Sequence, residues 1–133
     1  MYGESDPVAP QINLKSPQDS EFLIHSLNLY NQGYYWESHV YFEALWNAHG
    51  RVGSVADFLK GMIKLGAAGV KLSLDQPHEA KVHINRAHEL FSSVLASEGT
   101  WFLGFDLSEI IKNINLEGKL PFINFINGSS IRE

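Results

Sequence analysis

The sequence predicts an all-α protein, a compact bundle of about five helices with an aromatic-rich second helix at its centre. Apolar residues recur at helical spacing in five segments. Capping residues or prolines stand before most of these segments, and glycines stand after several of them. A chain of 133 residues fits one domain with a sizeable core.

The start of the chain differs from the rest. Residues 1–15 carry Pro7 and Pro10 and show no clean apolar periodicity. We therefore expect a flexible N-terminal arm, followed by a single helical-bundle domain over residues 16–133.

Helix one is predicted from about 17 to 31. Ser16 supplies an N-cap hydroxyl, Pro17 suits the first helical position, and Asp19 places an acid in the first turn. Gly33 suits a left-handed C-terminal stop. The expected buried stripe consists of Phe22, Leu23, Leu27 and Tyr30.

Helix two, from about 34 to 48, is apolar nearly all round. One face carries Tyr35, His39, Phe42 and Trp46, and the other carries Val40, Tyr41, Ala44 and Ala48 beside Glu37. Such a helix lies at the centre of a bundle, or has one side in the core and the other against a second subunit.

Helix three, from about 55 to 74, begins at a predicted capping box of Ser54 and Asp57. Its many glycines and alanines predict close packing against helix two. One face carries the lysines Lys60, Lys64 and Lys71, and the other carries Phe58, Met62, Leu65 and Leu72.

The last two helices are predicted at about 77–97 and 107–114. Pro77 begins the first of them, and Asp106 caps the second in a further capping box. An aromatic connector joins the two helices, and we expect residues 120–126 to form an extended segment packed on the bundle. The connector contains Trp101, Phe102 and Phe105.

A pattern within residues 22–95 resembles a known family. The residues that carry it are Gly33, Tyr35, Trp36, Glu37, His39, Glu43 and Trp46. They are similar to the signature Gly-x-Tyr-aromatic-Glu-Ala-His-Glu-x-x-Glu-x-x-Trp of domain-of-unknown-function family 309. Further similarity comes from Gly61-Met62-Ile63-Lys64, Ala80 and Ala87. The resemblance implies a compact multi-helical bundle without an established activity.

The chain departs from this family's pattern at several polar positions. It has Ser38 in place of Ala, Val40 in place of Glu, Lys64 in place of Gln, and Lys71 where many members carry His. The resemblance therefore implies a divergent member, in which a site built from the family's full polar set is altered.

Composition narrows the expected function. The net charge of −5 argues against a nucleic-acid partner, which needs a basic face. The absence of cysteine excludes disulfides and thiolate chemistry. We expect no membrane partner and a cytoplasmic location, because the sequence shows neither a secretory signal nor a run of about 20 apolar residues.

Helix two holds the best candidate for a polar site. His39 and Glu43 are one helical turn apart and could ligate a metal together. Alternatively, His39 is a buried ring hydrogen-bonded to Glu43 or to another helix. A metal needs a third protein ligand, and no other histidine has suitable spacing, so we predict no metal site and no cofactor. The full candidate buried site is Glu37, His39, Glu43 and Lys64.

The lysines of helix three allow three interpretations. Lys64 could form a structural ion pair with Glu37 or Glu43. The lysine face could instead be simply solvated, or it could bind an anion.

The aromatic residues of helix two suggest a function. Those that cannot all face the core could line a pocket or an interface, although aromatic side chains at helical spacing are often ordinary core. The candidates are Tyr35, Trp36, Tyr41 and Trp46. We therefore expect a non-enzymatic, homo-oligomeric or partner-binding helical module, with a possible small-molecule ligand and no catalytic residue. The alternative is a ligand- or metal-dependent enzyme that uses the His and Glu residues of helix two.

Overall fold

The computed structural model describes residues 6–114 and 119–126. A short 3-10 helix, Pro17–Asp19, comes first. The later elements are α1 (Glu21–Asn31), α2 (Tyr35–Ala48), α3 (Ser54–Ser73), α4 (Pro77–Glu98), β1 (Trp101–Phe102), β2 (Phe105–Asp106) and α5 (Leu107–Asn113). The predicted all-α bundle of five helices is confirmed.

The helices pack in a simple order. The glycine-rich α3 lies between α2 and α4, α1 packs on the other side of α2, and α5 packs on α4. Half of the residues of α3 are buried, whereas α2 buries four residues: Ser38, Phe42, Ala44 and Leu45. Helix α2 therefore has one side in the core and another side that is exposed.

Close packing of α2 on α3, predicted from the glycines, is confirmed. A Cβ at Gly66 would lie 3.3 Å from the Cβ of His39 and from the carbonyl oxygen of Tyr35. A Cβ at Gly69 would overlap the Tyr35 ring. The two helices can approach this closely because α3 has no side chain at either position.

The starts of the helices are only partly as predicted. Ser20, not Ser16, caps α1 by accepting a hydrogen bond from the Leu23 amide at 3.2 Å. The intervening 3-10 turn ends at Ser20 in an extended conformation, so the α-helix begins there.

The predicted capping box of α3 is wrong. Gly53, with a φ of +101°, precedes the helix. The Ser54 hydroxyl donates instead to Glu98 at 2.8 Å, because the end of α4 meets the start of α3. At α5 the expected cap is confirmed, since Asp106 accepts from the Glu109 amide at 3.0 Å.

The aromatic connector between α4 and α5 is a two-stranded antiparallel hairpin, which the sequence analysis did not predict. Its turn residues, Leu103 and Gly104, both have positive φ, as a two-residue hairpin turn requires. The Gly104 carbonyl accepts from the Ile126 amide at 2.8 Å, and Phe125 stacks on Phe105. The hairpin therefore also fixes the C-terminal segment.

The expected packing of residues 120–126 on the bundle is confirmed. The buried Tyr30 hydroxyl donates to the Pro121 carbonyl at 2.7 Å. Asn31 exchanges two hydrogen bonds with the backbone of Ile123, which is fully buried.

Part of the predicted N-terminal arm contacts the end of α2. Ile12 is only 3% exposed, and its amide donates to Nε2 of His49 at 2.9 Å. Gln11 donates to the Ala48 carbonyl at 3.0 Å. Residues 1–5 of the arm lie outside the described residues, and the division into arm and domain stays a prediction.

Candidate functional site

The four residues of the predicted polar site lie in two environments. His39 and Lys64 are half-buried where α2 packs on α3, whereas Glu37 and Glu43 are exposed. The expectation of a buried cluster is wrong for the two acids, because they lie on the solvent side of α2. Within residues 6–114 and 119–126, Lys64 forms no ion pair with either acid, so of the three interpretations of the lysine face the ion pair is wrong.

His39 is the best-defined polar group of this region. Its Nδ1 atom is buried and has no hydrogen-bond partner in the described part of the chain, so the expected hydrogen bond is not formed through that atom. Its ring stacks on Trp36 with the centroids 5.5 Å apart and the planes at 21°. Burial lowers the pKa of His39, the Glu43 carboxylate opposes this shift, and Lys64 adds to it. The neutral imidazole is therefore favoured.

A group of basic side chains extends from His39 across α3 to α4. We call five of these side chains the basic row. They are Lys60, Lys64 and Lys71 on α3 with His83 and Arg86 on α4.

Members of the basic row lower one another's pKa values. Burial lowers the pKa of Lys64, and the nearby charges of Lys60 and Arg86 lower it further. Burial also lowers the pKa of His83. The pKa of His83 is lowered further by three nearby bases, Lys64, Lys71 and His39. Basic groups from three helices are therefore close enough to repel one another.

The four aromatic candidates of α2 do not form one pocket. Tyr35 packs on Gly69, and Tyr41 packs against Phe22 of α1 with the ring centroids 5.1 Å apart. Neither Trp36 nor Trp46 has a ring contact with Tyr35 or Tyr41 in the described residues.

The two tryptophans of α2 have different neighbours. The Lys60 ammonium lies 4.3 Å from the centroid of the Trp46 ring, a cation–π distance. Trp36 is 55% exposed. Its only ring partner in the described residues is His39.

Beside Trp36 lies a small depression between α2 and α3, which we call the Trp36 pocket. It has a volume of about 170 Å³ and is lined by Trp36, His39, Ala67, Val70 and Lys71. Pockets for drug-sized ligands are usually about 300–1,000 Å³. The Trp36 pocket is therefore better matched to one apolar side chain than to a whole cofactor.

A larger and more open depression of about 720 Å³ lies between the N-terminal segment and α1. It is lined by Pro10, Gln11, Asn13, Ser16, Asp19, Ser20, Glu21, Phe22 and His25. None of these residues is a lysine or arginine, so this depression lacks the positive charges that the basic row has.

Two further features are absent from residues 6–114 and 119–126. No three His, Asp or Glu side chains there are grouped so that they could hold a metal ion. No helix in those ranges has the length and apolar character needed to cross a membrane.

Part of this region does not follow from the sequence pattern. His83 and Arg86 share one face of α4, three residues apart, but their pattern does not reveal which helix that face meets. Val70 of the Trp36 pocket was also not predicted, and Ala67 was expected only as one of the small residues that allow helix three to pack closely.

Residues 23–82 match the model of a domain of unknown function, DUF309. The resemblance found in the sequence is therefore confirmed. The matched residues contain the whole Trp36 pocket, whereas His83 and Arg86 lie beyond them. No curated protein and no solved structure matches the chain.

Proposed function

We propose that the chain is a binding module without chemistry of its own. Its residues 23–82 belong to the DUF309 family, a domain of unknown function. The Trp36 pocket takes up an apolar side chain of a partner protein. The observation that carries this proposal is the exposed Trp36 ring beside an apolar depression between two packed helices.

The character of Trp36 supports a role in binding. Tryptophan is among the residues that contribute most to protein–protein binding free energy, particularly beside a pocket. Its ring is held in place by stacking on His39, so little side-chain entropy is lost when a partner covers it. Tyr34, two residues before Trp36, is also 54% exposed.

The partner is either a second copy of the chain or a different protein. Native mass spectrometry of the untreated protein separates these cases, because it reports the subunit count directly. In the homo-oligomeric case, Trp36→Ala converts the oligomer to monomer. In the other case, the wild-type protein is already a monomer.

The general test uses peptides selected from a random display library against the purified protein. We expect the selected peptides to share an apolar anchor, and we expect Trp36→Ala to weaken their binding at least about tenfold. Trp101→Ala is the matched control, because Trp101 is also exposed, at 66%, but lies on the hairpin. Equal loss of binding in both variants, or no selected peptide that depends on Trp36, contradicts the proposal.

The second candidate function is a ligand- or metal-dependent enzyme that uses Glu37, His39 and Glu43. One observation favours it: the pKa values of His39, Lys64 and His83 are all lowered, and such groups often lie at reactive sites. A metal or small molecule retained in native mass spectra of wild-type protein, and lost from His39→Ala, supports this candidate. Spectra of both proteins without such a species count against it.

A further inference from the structure

We propose that the partner segment is acidic, and that the Trp36 pocket and the basic row form one docking surface for an acidic stretch of another protein. This inference rests on the proposed function. It adds the charge of the partner and the residues that recognise it.

The lysines of the basic row have no ion-pair partner in the described part of the chain. The nearby charges that shift the pKa of Lys64 belong to two other basic groups, Lys60 and Arg86, and no carboxylate of the described residues opposes them. In the described residues, Arg86 alone in the basic row has an ion pair, with Glu89 at 3.1 Å. Lys64 and Lys71 form none within residues 6–114 and 119–126. A carboxylate brought by a partner would replace this repulsion with attraction.

The apolar Trp36 pocket and the basic row are continuous on the surface. Lys71 belongs to the basic row and also lines the Trp36 pocket. His39, which lines the same pocket, is close enough to His83 to lower its pKa. An apolar side chain in the pocket would therefore hold neighbouring carboxylates beside the lysines.

The length of the basic row limits the size of the partner segment. Lys60 and Lys71 lie eleven residues apart on α3, which corresponds to about 16 Å along a helix axis. An extended chain covers this distance with about five residues at about 3.3 Å each. The surface thus fits a short linear segment, with an apolar residue near one end and acids along the rest.

Two other occupants are disfavoured by charge. A two-fold dimer through this surface would bring the basic row of one copy towards the same row of the other. A nucleic-acid backbone needs a broad basic face, whereas this chain carries a net charge of −5. An acidic polypeptide fits the small basic area better.

The experiment compares three short synthetic peptides that share one leucine and differ only in their flanking residues, which are Glu, Gln or Lys. Affinity for the full chain is measured by calorimetry at low and raised salt. We expect the Glu peptide to bind at least about tenfold more tightly than the Gln peptide at low salt. Raised salt should reduce this difference, because screening weakens attraction between charges.

The variants locate the effect. Lys64→Gln should remove most of the preference for the Glu peptide, and Lys71→Gln should do the same if Lys64→Gln fails to fold. Lys112→Gln, which makes the same change in net charge on the exposed surface of α5, should retain the preference. Loss of the preference in Lys112→Gln to the same degree overturns the inference, because the effect would then come from net charge alone.

The remaining outcomes separate the inference from the proposed function. Equal binding of the Glu and Gln peptides, with both dependent on Trp36, overturns the acidic partner and leaves the binding module intact. Absence of binding by every peptide, or binding unaffected by Trp36→Ala, contradicts both proposals. A short single-stranded oligonucleotide that binds more tightly than the Glu peptide, and depends on Lys64, overturns the inference in favour of nucleic acid.

Discussion

Gly69→Ala tests the packing that positions the whole α2 face. The added Cβ would overlap the Tyr35 ring at its Cγ and Cδ atoms. These atoms lie near the root of the side chain, so the ring cannot move away without a shift of α2. Overpacking of this kind costs about 1–3 kcal/mol, and the better helix propensity of alanine returns about 0.8–1.0 kcal/mol. We expect a net loss of about 1 kcal/mol in the free energy of unfolding.

The assay is chemical unfolding followed by circular dichroism, with Gly69→Ala also made in a Tyr35→Ala background. Without the ring, the helix-propensity gain should dominate, so Gly69→Ala should stabilise that background by about 1 kcal/mol. The sign of the effect should therefore reverse between the two backgrounds. If Gly69→Ala stabilises the wild-type chain, the described contact between α2 and α3 is refuted.

Three further predictions concern stability. Tyr30→Phe should lower the free energy of unfolding by about 1–3 kcal/mol, because it leaves the buried Pro121 carbonyl without its donor; urea unfolding measures this. Stability should fall as the pH drops below about 6.5, because burial lowers the pKa of His49 and the folded state then binds fewer protons than the unfolded chain. His49→Gln should show a weaker pH dependence in the same unfolding assay, since protonation of His49 also removes the acceptor of the Ile12 amide. His39→Leu should leave thermal stability unchanged or raise it, because the buried Nδ1 has no partner in the described residues.

Much of the fold follows from local sequence signals. Apolar periodicity predicts all five helices, and Asp106 marks the start of the last one as expected. The start of α1 was misplaced because Ser16 and Ser20 both offer a hydroxyl. Only the 3-10 turn between them shows which hydroxyl caps the α-helix. The hairpin was missed because its strands contain two residues each, too few to show alternation.

The candidate site was less predictable, because it depends on how the helices are rotated. Helix two is apolar on nearly every side, so its pattern does not show that Glu37 and Glu43 face solvent. His39 and Lys64 were identified, since each stands out within its own helix. His83 belongs to the basic row because α4 packs on α3, and a single sequence does not specify that packing.

The central claim is that the Trp36 pocket and the basic row form one binding surface. An amide NMR titration of the full chain with the Glu-flanked leucine peptide tests it most directly. We predict that the largest chemical-shift changes fall on Trp36, Val70, Lys71 and Lys64. Changes concentrated instead in residues 10–25, around the larger depression beside α1, would contradict the claim.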